Sequence, residues 1–184
     1  MAALQERFKK ITTFIFDVDG VMTDGSVNAL ESGEQFRTFN VRDGYAIERA
    51  VHSGYRVAVL SAGNQLGVRK RLEFLKIKDI FMGGPTDQKL YAYLGYLNRD
   101  KINESEVLYM GDDIPDLPVL SRPNLLSTCP ADAANEIQAV CDYISPVAGG
   151  RGAVRDVIEQ VMKAQGKWLS WLPTSEPFKL DNER

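Results

Sequence analysis

The sequence predicts an α/β fold: a mainly parallel sheet with helices on both faces, plus one early β-hairpin. Two observations predict it. Short apolar runs alternate with amphipathic stretches, the order that builds parallel strands and crossover helices. The alternation is broken once, near the start, where Glu31-Ser32-Gly33-Glu34 separates Val27–Leu30 from Gln35–Phe39 as a hairpin turn would. In chain order, the polar stretch Met1–Lys10 carries no element, and Ile11–Phe16 is a buried strand ending at Asp17. Asp43–Ser53 is a helix, with Tyr45, Ala46, Ile47, Ala50 and Val51 on one face and Gly54 as its stop. Then come a strand over Tyr55–Leu60, a basic helix over Asn64–Leu75 and a strand over Asp79–Met82. They are followed by an aromatic-faced helix over Thr86–Leu97 and a strand over Val107–Met110 that ends at Gly111-Asp112. A short helix Ile114–Leu120, a strand Leu125–Thr128, a helix Ala131–Val140, a strand Tyr143–Ser145 and a helix Gly152–Gln165 complete a Rossmann-like order. From Trp168 to Arg184 the pattern lapses into an irregular tail, so residues 1–167 are expected to form one domain.

The chain has 184 residues, 44% of them hydrophobic and 26% charged, with 22 basic against 25 acidic side chains for a net charge of −3. Disorder and coiled coil fit poorly, and nothing in the charge balance draws nucleic acid or an anionic membrane. Neither a spanning helix nor a signal-peptide core is legible, and Cys129 and Cys141 suggest no disulfide framework, so a cytoplasmic location is expected. A single histidine, His52, argues against histidine-based metal sites and Ser-His-Asp hydrolysis. Neither cysteine has an arginine six positions on, as a cysteine phosphatase loop needs, and no GxxxxGK[ST] loop occurs.

In parallel sheets, ligands bind beyond the carboxyl ends of the strands. Here those ends carry Asp17-Val18-Asp19-Gly20, Ser61 and Gly111-Asp112-Asp113-Ile114-Pro115-Asp116, with Lys89 just past the third strand. Gathered at one rim, these carboxylates repel by about 4 kcal/mol per pair at 4 Å and an effective dielectric of about 20. Protonation or a cation relieves that, and an all-oxygen set favours magnesium. An EF-hand loop does not fit, because Val21 and Met22 stand where an acid and a glycine belong.

The pieces Asp17-Val18-Asp19-Gly20, Ser61, Lys89 and Gly111-Asp112-Asp113-x-x-Asp116 resemble, in order, the motifs of the haloacid dehalogenase superfamily of phosphotransferases. The resemblance covers residues from about 11 to 165. It implies that Asp17 attacks phosphorus to give an aspartyl-phosphate, and that Asp19 protonates the leaving oxygen and then activates water. It implies magnesium held by the Asp17 carboxylate, the Asp19 backbone carbonyl and Asp112, with phosphate oxygens held by Ser61 and Lys89. Asp113 and Asp116 would orient waters and Lys89.

Too few residues separate the first motif from the second strand for a globular cap, so the hairpin stands in its place. Asp17-Val18-Asp19-Gly20-Val21, Phe39-Asn40-Val41-Arg42-Asp43-Gly44-Tyr45 and Gly149-Gly150-x-Gly152-Ala153 with Arg155-Asp156 are similar to the cap-less 3-deoxy-D-manno-octulosonate 8-phosphate phosphatases. That resemblance implies a homotetramer of lipopolysaccharide precursor synthesis, a neighbouring subunit closing each active site over a small sugar phosphate. It also implies substrate contacts from Arg42 or Arg71, the latter from the adjacent subunit. Gly63 lacks the acidic side chain of the nine-carbon sugar-acid 9-phosphate phosphatases, which favours the eight-carbon substrate. The nine-carbon activity and a non-catalytic tetramerising module are the alternatives.

Overall fold

The structure, a computed structural model, describes residues 2–170. Its sheet is parallel throughout, built from β1 (Thr13–Phe16), β4 (Arg56–Ser61), β5 (Asp79–Met82), β6 (Val107–Met110), β7 (Leu126–Cys129) and β8 (Tyr143–Ile144) in the order β5-β4-β1-β6-β7-β8. The first three strands grow outward in one direction from β1, and the last three grow in the other. The order therefore reverses between β1 and β6, and a crevice opens there at the carboxyl ends. Phe16 pairs with Val59 on one side and Met110 on the other, so Asp17, Ser61 and Asp112 emerge along one rim.

Alternation along the strands sorts the core into two layers. Phe14, Phe16, Val57, Val59, Leu108 and Met110 face the helices α2 (Val41–His52), α3 (Leu66–Phe74) and α7 (Ala153–Ala164). Ile15, Ala58, Leu60, Val107 and Tyr109 face α4 (Lys89–Asp100), α5 (Leu117–Leu120) and α6 (Asn135–Gln138). Burial on both faces is why these strands read as unbroken apolar runs. The hairpin is a separate antiparallel pair, β2 (Asn28–Ala29) and β3 (Gln35–Phe36), joined across Asn28↔Phe36. It is shorter than the sequence suggested.

The N-terminus departs from expectation. Ala2–Phe8 forms a helix, α1, held by the buried Phe8 and the partly buried Leu4. Phe8 meets Tyr143 edge-on at 5.8 Å, and Arg7 pairs with Asp142 at 2.6 Å. Two apolar residues one turn apart are too sparse a pattern to stand out in a charged segment. The helix expected over residues 131–140 shrinks to Asn135–Gln138. Its first residues serve other partners instead: the Ala131 amide donates to Val147 O, and the Ala134 amide to Asp112 O. Trp168, the first residue of the expected tail, is packed rather than free. It is buried in the α7 core layer, edge-on to Tyr45 and beneath the Arg155 guanidinium. The remainder of the expected tail, 171–184 with Trp171, Pro173 and Pro177, lies outside the described residues.

Two nonlocal contacts lock the rim. The Arg155 amide in the first turn of α7 donates to Asp43 Oδ1 at 2.8 Å, so an acid of α2 caps a helix more than a hundred residues away. Burial raises the Asp43 carboxyl to about 6. Behind the β1 loop, the Gly150 amide donates to Val21 O at 2.9 Å. A Cβ at residue 149 would lie 1.8 Å from Gly20 O, so only glycine admits this backbone-on-backbone seat. Among the described residues, no helix is long and apolar enough to cross a membrane, and both cysteines are free.

Candidate active site

The loop after β1 is folded around Thr23. Its amide and hydroxyl both donate to Val18 O, at 3.0 and 3.3 Å, and its Oγ1 accepts from the Gly20 and Gly25 amides. The tight turn brings Gly20, at φ +82°, against the neighbouring strand end. A Cβ there would sit 1.9 Å from Asp112 Oδ2. Glycine at 20 is thus the condition for Asp112 to approach Asp17.

Carboxylate oxygens of Asp17, Asp112 and Asp116 all lie within 4.8 Å of one another. Lys89, the first residue of α4, inserts its ammonium among them, 3.0 Å from Asp17 Oδ1 and 2.8 Å from Asp116 Oδ1. Asp17, Asp116 and Lys89 are all buried. Burial and the Asp116 charge push the Asp17 carboxyl well above the ordinary carboxylate range, with Lys89 opposing them. The same two causes raise Asp112 to about 7. Burial pulls Lys89 down, but the Asp17 and Asp116 charges outweigh it and raise the ammonium above its ordinary value.

The acids divide by how their lone pairs are used. Asp116 Oδ1 accepts from Tyr109 Oη at 2.5 Å and from Lys89 Nζ, while Oδ2 accepts from the Asp112 amide at 3.3 Å. Its capacity goes into holding Lys89 and the Asp112 turn. Asp17 Oδ1 is different: it is sealed from water, and the Lys89 ammonium at 3.0 Å is the charge set against it. Three acids whose oxygens lie within 4.8 Å, with one ammonium among them, leave negative charge in excess in an oxygen-only site, and that fits a hard divalent cation. Asp17 and Asp112 are the side chains that would hold it.

The rim fills in around this centre. A cavity of about 280 Å³ is lined by Asp17, Asp19, Ser61, Gly63, Lys89 and Asp112. Ser61 Oγ accepts from the Gly63 amide at 3.2 Å, which leaves its own O–H free to donate. Asp113 also reaches the cavity, yet it is exposed, and its Oδ1 caps the turn at Ile114 at 2.8 Å. Asp113 forms no ion pair with Lys89; Asp116 does.

Neither arginine expected at the substrate reaches the acids of its own chain. Arg42 is exposed on the first turn of α2 and faces a separate cavity with Arg151 and Arg155, because that turn abuts α7. Arg71 lies against the Gly44 backbone, its guanidinium 5.6 Å from the centre of the Phe74 ring. A different arginine is present: Arg37, just past β3, whose Nε donates to Asp19 Oδ1 at 2.9 Å. No sequence pattern announces this pair, because hairpin geometry alone spans the 18 positions between them.

No protein-family model matches the chain. The curated 3-deoxy-D-manno-octulosonate 8-phosphate phosphatase KdsC of Escherichia coli strain K12 is 38% identical over 159 residues, covering 86% of this chain and 83% of the relative. The crystal structure of the 3-deoxy-D-manno-octulosonate 8-phosphate phosphatase from Yersinia pestis matches with a TM-score of 0.86 at 35% identity, over 90% of this chain and 88% of that one. The enzyme from Moraxella catarrhalis, solved with a magnesium ion, a phosphate ion and KDO, matches with a TM-score of 0.85 at 32% identity, over 90% and 94%. A haloacid dehalogenase superfamily hydrolase from Legionella pneumophila matches with a TM-score of 0.86 at 32% identity, over 91% and 90%. With the acids, the lysine and the strand order all in place, this chain belongs to the 3-deoxy-D-manno-octulosonate 8-phosphate phosphatase family of the haloacid dehalogenase superfamily.

Proposed function

We propose that this chain hydrolyses 3-deoxy-D-manno-octulosonate 8-phosphate to the free sugar acid and phosphate, with magnesium as cofactor, in lipopolysaccharide precursor synthesis in the cytoplasm. The observation that carries the reading is the buried Asp17 carboxylate, paired with Lys89 and facing Asp112 across the crevice. Asp17 attacks phosphorus while Asp19 protonates the departing sugar oxygen. Asp19 then takes a proton from water, which attacks the aspartyl-phosphate and frees Asp17. Ser61 and Lys89 hold the phosphate oxygens, Lys89 as a point charge oriented by Asp116. The Asp17 and Asp112 carboxylates, with the Asp19 backbone carbonyl, would hold the magnesium. When bound, the ion offsets the repulsion between the Asp17 carboxylate and an anionic phosphate.

A phosphate-release assay over eight- and nine-carbon 2-keto-3-deoxy sugar acid phosphates tests this. The expected result is the highest kcat/KM on the eight-carbon 8-phosphate, and loss of turnover in excess chelator that magnesium restores. Chelator-resistant turnover, or a preference for the nine-carbon ester, would contradict it.

The cavity is open, and assembly of four copies supplies its cover. Val27, Leu30 and Phe36 of the hairpin and Leu66 of α3 are each about half exposed or more, an apolar surface that a second copy would bury. In such an assembly the partner subunit's Arg71 meets the sugar acid's carboxylate. Light scattering is expected to read four times the 20.5 kDa chain mass, and Phe36→Glu is expected to lower it. A monomeric parent protein would overturn the assembly.

A further inference from the structure

Arg37 lies at the foot of the hairpin, immediately after β3. Its side chain is 6% exposed, whereas the Asp19 carboxylate it meets is 37% exposed. An ordinary surface pair keeps its cation in water; here the cation is buried and the acid faces the cavity. The contact has two prongs: Nε to Oδ1 at 2.9 Å and Nη2 to Oδ2 at 3.4 Å. A planar guanidinium bound this way fixes the plane of the carboxylate as well as its position. Its third nitrogen, Nη1, donates to Gln35 Oε1 at 3.3 Å, and Gln65 Nε2 donates to the same oxygen at 3.4 Å. The fork is thereby tied to the hairpin and to the loop after β4.

Asp19 stands on a loop, and among the described residues the hydrogen bonds to its carboxylate oxygens come from Arg37. Resting on the hydrolytic reading above, we propose that Arg37 is the positioning residue for Asp19, holding its carboxyl in the orientation that proton transfer requires. As the Asp17 oxygen bonds to phosphorus and the bond to the sugar oxygen breaks, Asp19 gives its proton to that oxygen. As water then bonds to phosphorus and the acyl-phosphate bond breaks, Asp19 takes a proton from the water. Each carboxylate oxygen keeps a second lone pair for that proton while the fork occupies the first. The hairpin standing in for a cap thus supplies part of the site within its own chain.

The test uses leaving groups that differ in their need for a proton. An alkyl phosphate expels a poor leaving group and depends on Asp19; p-nitrophenyl phosphate expels a phenolate that departs unassisted. Because kcat/KM covers the steps through departure, Arg37→Met is expected to lower it by about 30- to 100-fold on the eight-carbon sugar phosphate and less than about 3-fold on the aryl ester. Arg37→Lys, which keeps the charge and loses the fork, is expected to fall between. Equal losses on both esters would overturn the proposal, since a folding or phosphate-binding defect acts on both. So would a loss confined to carboxylate-bearing esters and absent with arabinose 5-phosphate, because Arg37 would then read the substrate. Failure of the hydrolytic reading looks different: the parent protein would hydrolyse none of these esters.

Discussion

Asp17→Asn is expected to lower kcat on sugar phosphates by about 10³-fold or more, while raising the thermal stability of the ion-free protein. An amide oxygen cannot form the acyl-phosphate, so the two-step route closes, and a loss of 10³ corresponds to about 4 kcal/mol of barrier. Stability moves the other way because the parent residue is a carboxylate sealed from water and facing Asp116. A neutral isostere removes that penalty, and Lys89 keeps its 2.8 Å partner, Asp116. With magnesium present the order is expected to reverse, since the ion stabilises only a fold that binds it. Phosphate release and thermal melts, each with and without chelator, read both effects. Turnover within tenfold of the parent would exclude Asp17 as the nucleophile.

Lys89→Met is expected to cost about 3–5 kcal/mol of stability near pH 8 in chelator, and much less near pH 5. The ammonium is the buried counter-charge to both Asp17 and Asp116, and methionine leaves the two acids facing each other. The sign of the pH dependence follows from the carboxyls. Asp112 is raised to about 7 and Asp17 lies well above its ordinary range, so the folded chain holds protons that the unfolded chain releases. Such groups stabilise the fold when protonated. Their contribution is complete below the ordinary carboxylate pKa of about 4 and is lost as pH rises through the folded value. The ion-free parent protein should therefore weaken across that window, and the variant, lacking the offsetting cation, should weaken further. Urea denaturation at the two pH values measures it; a variant equally stable at both would refute the role given to Lys89.

The acids at 17, 19 and 112 were legible because a parallel sheet leaves little choice. A buried apolar run reads as a strand, and the residues after it must lie at the rim. Lys89 and Asp116 were legible as members of the site, but the division of labour among the acids was not. Only the geometry places Tyr109 and the Asp112 amide on Asp116 and sets Asp17 Oδ1, sealed from water, against Lys89. Arg37 left no trace because no local spacing joins a hairpin foot to a strand end. Arg42 stands in a suggestive motif, yet a side chain's direction depends on which helix its own helix meets. The residues at 131–134 look helical, but their amides serve Val147 and Asp112.

The seat of Gly149 on Gly20 has a consequence for how the protein is made. The nucleophile leaves the ribosome early, but its turn is braced by a segment translated some 130 positions later. Contacts so distant along the chain carry a loop-closure cost and form late. A half-synthesised polypeptide would therefore expose the acidic loop unbraced and without its Asp112 partner. The brace on the acidic loop is thus complete only in a chain that extends through Gly150.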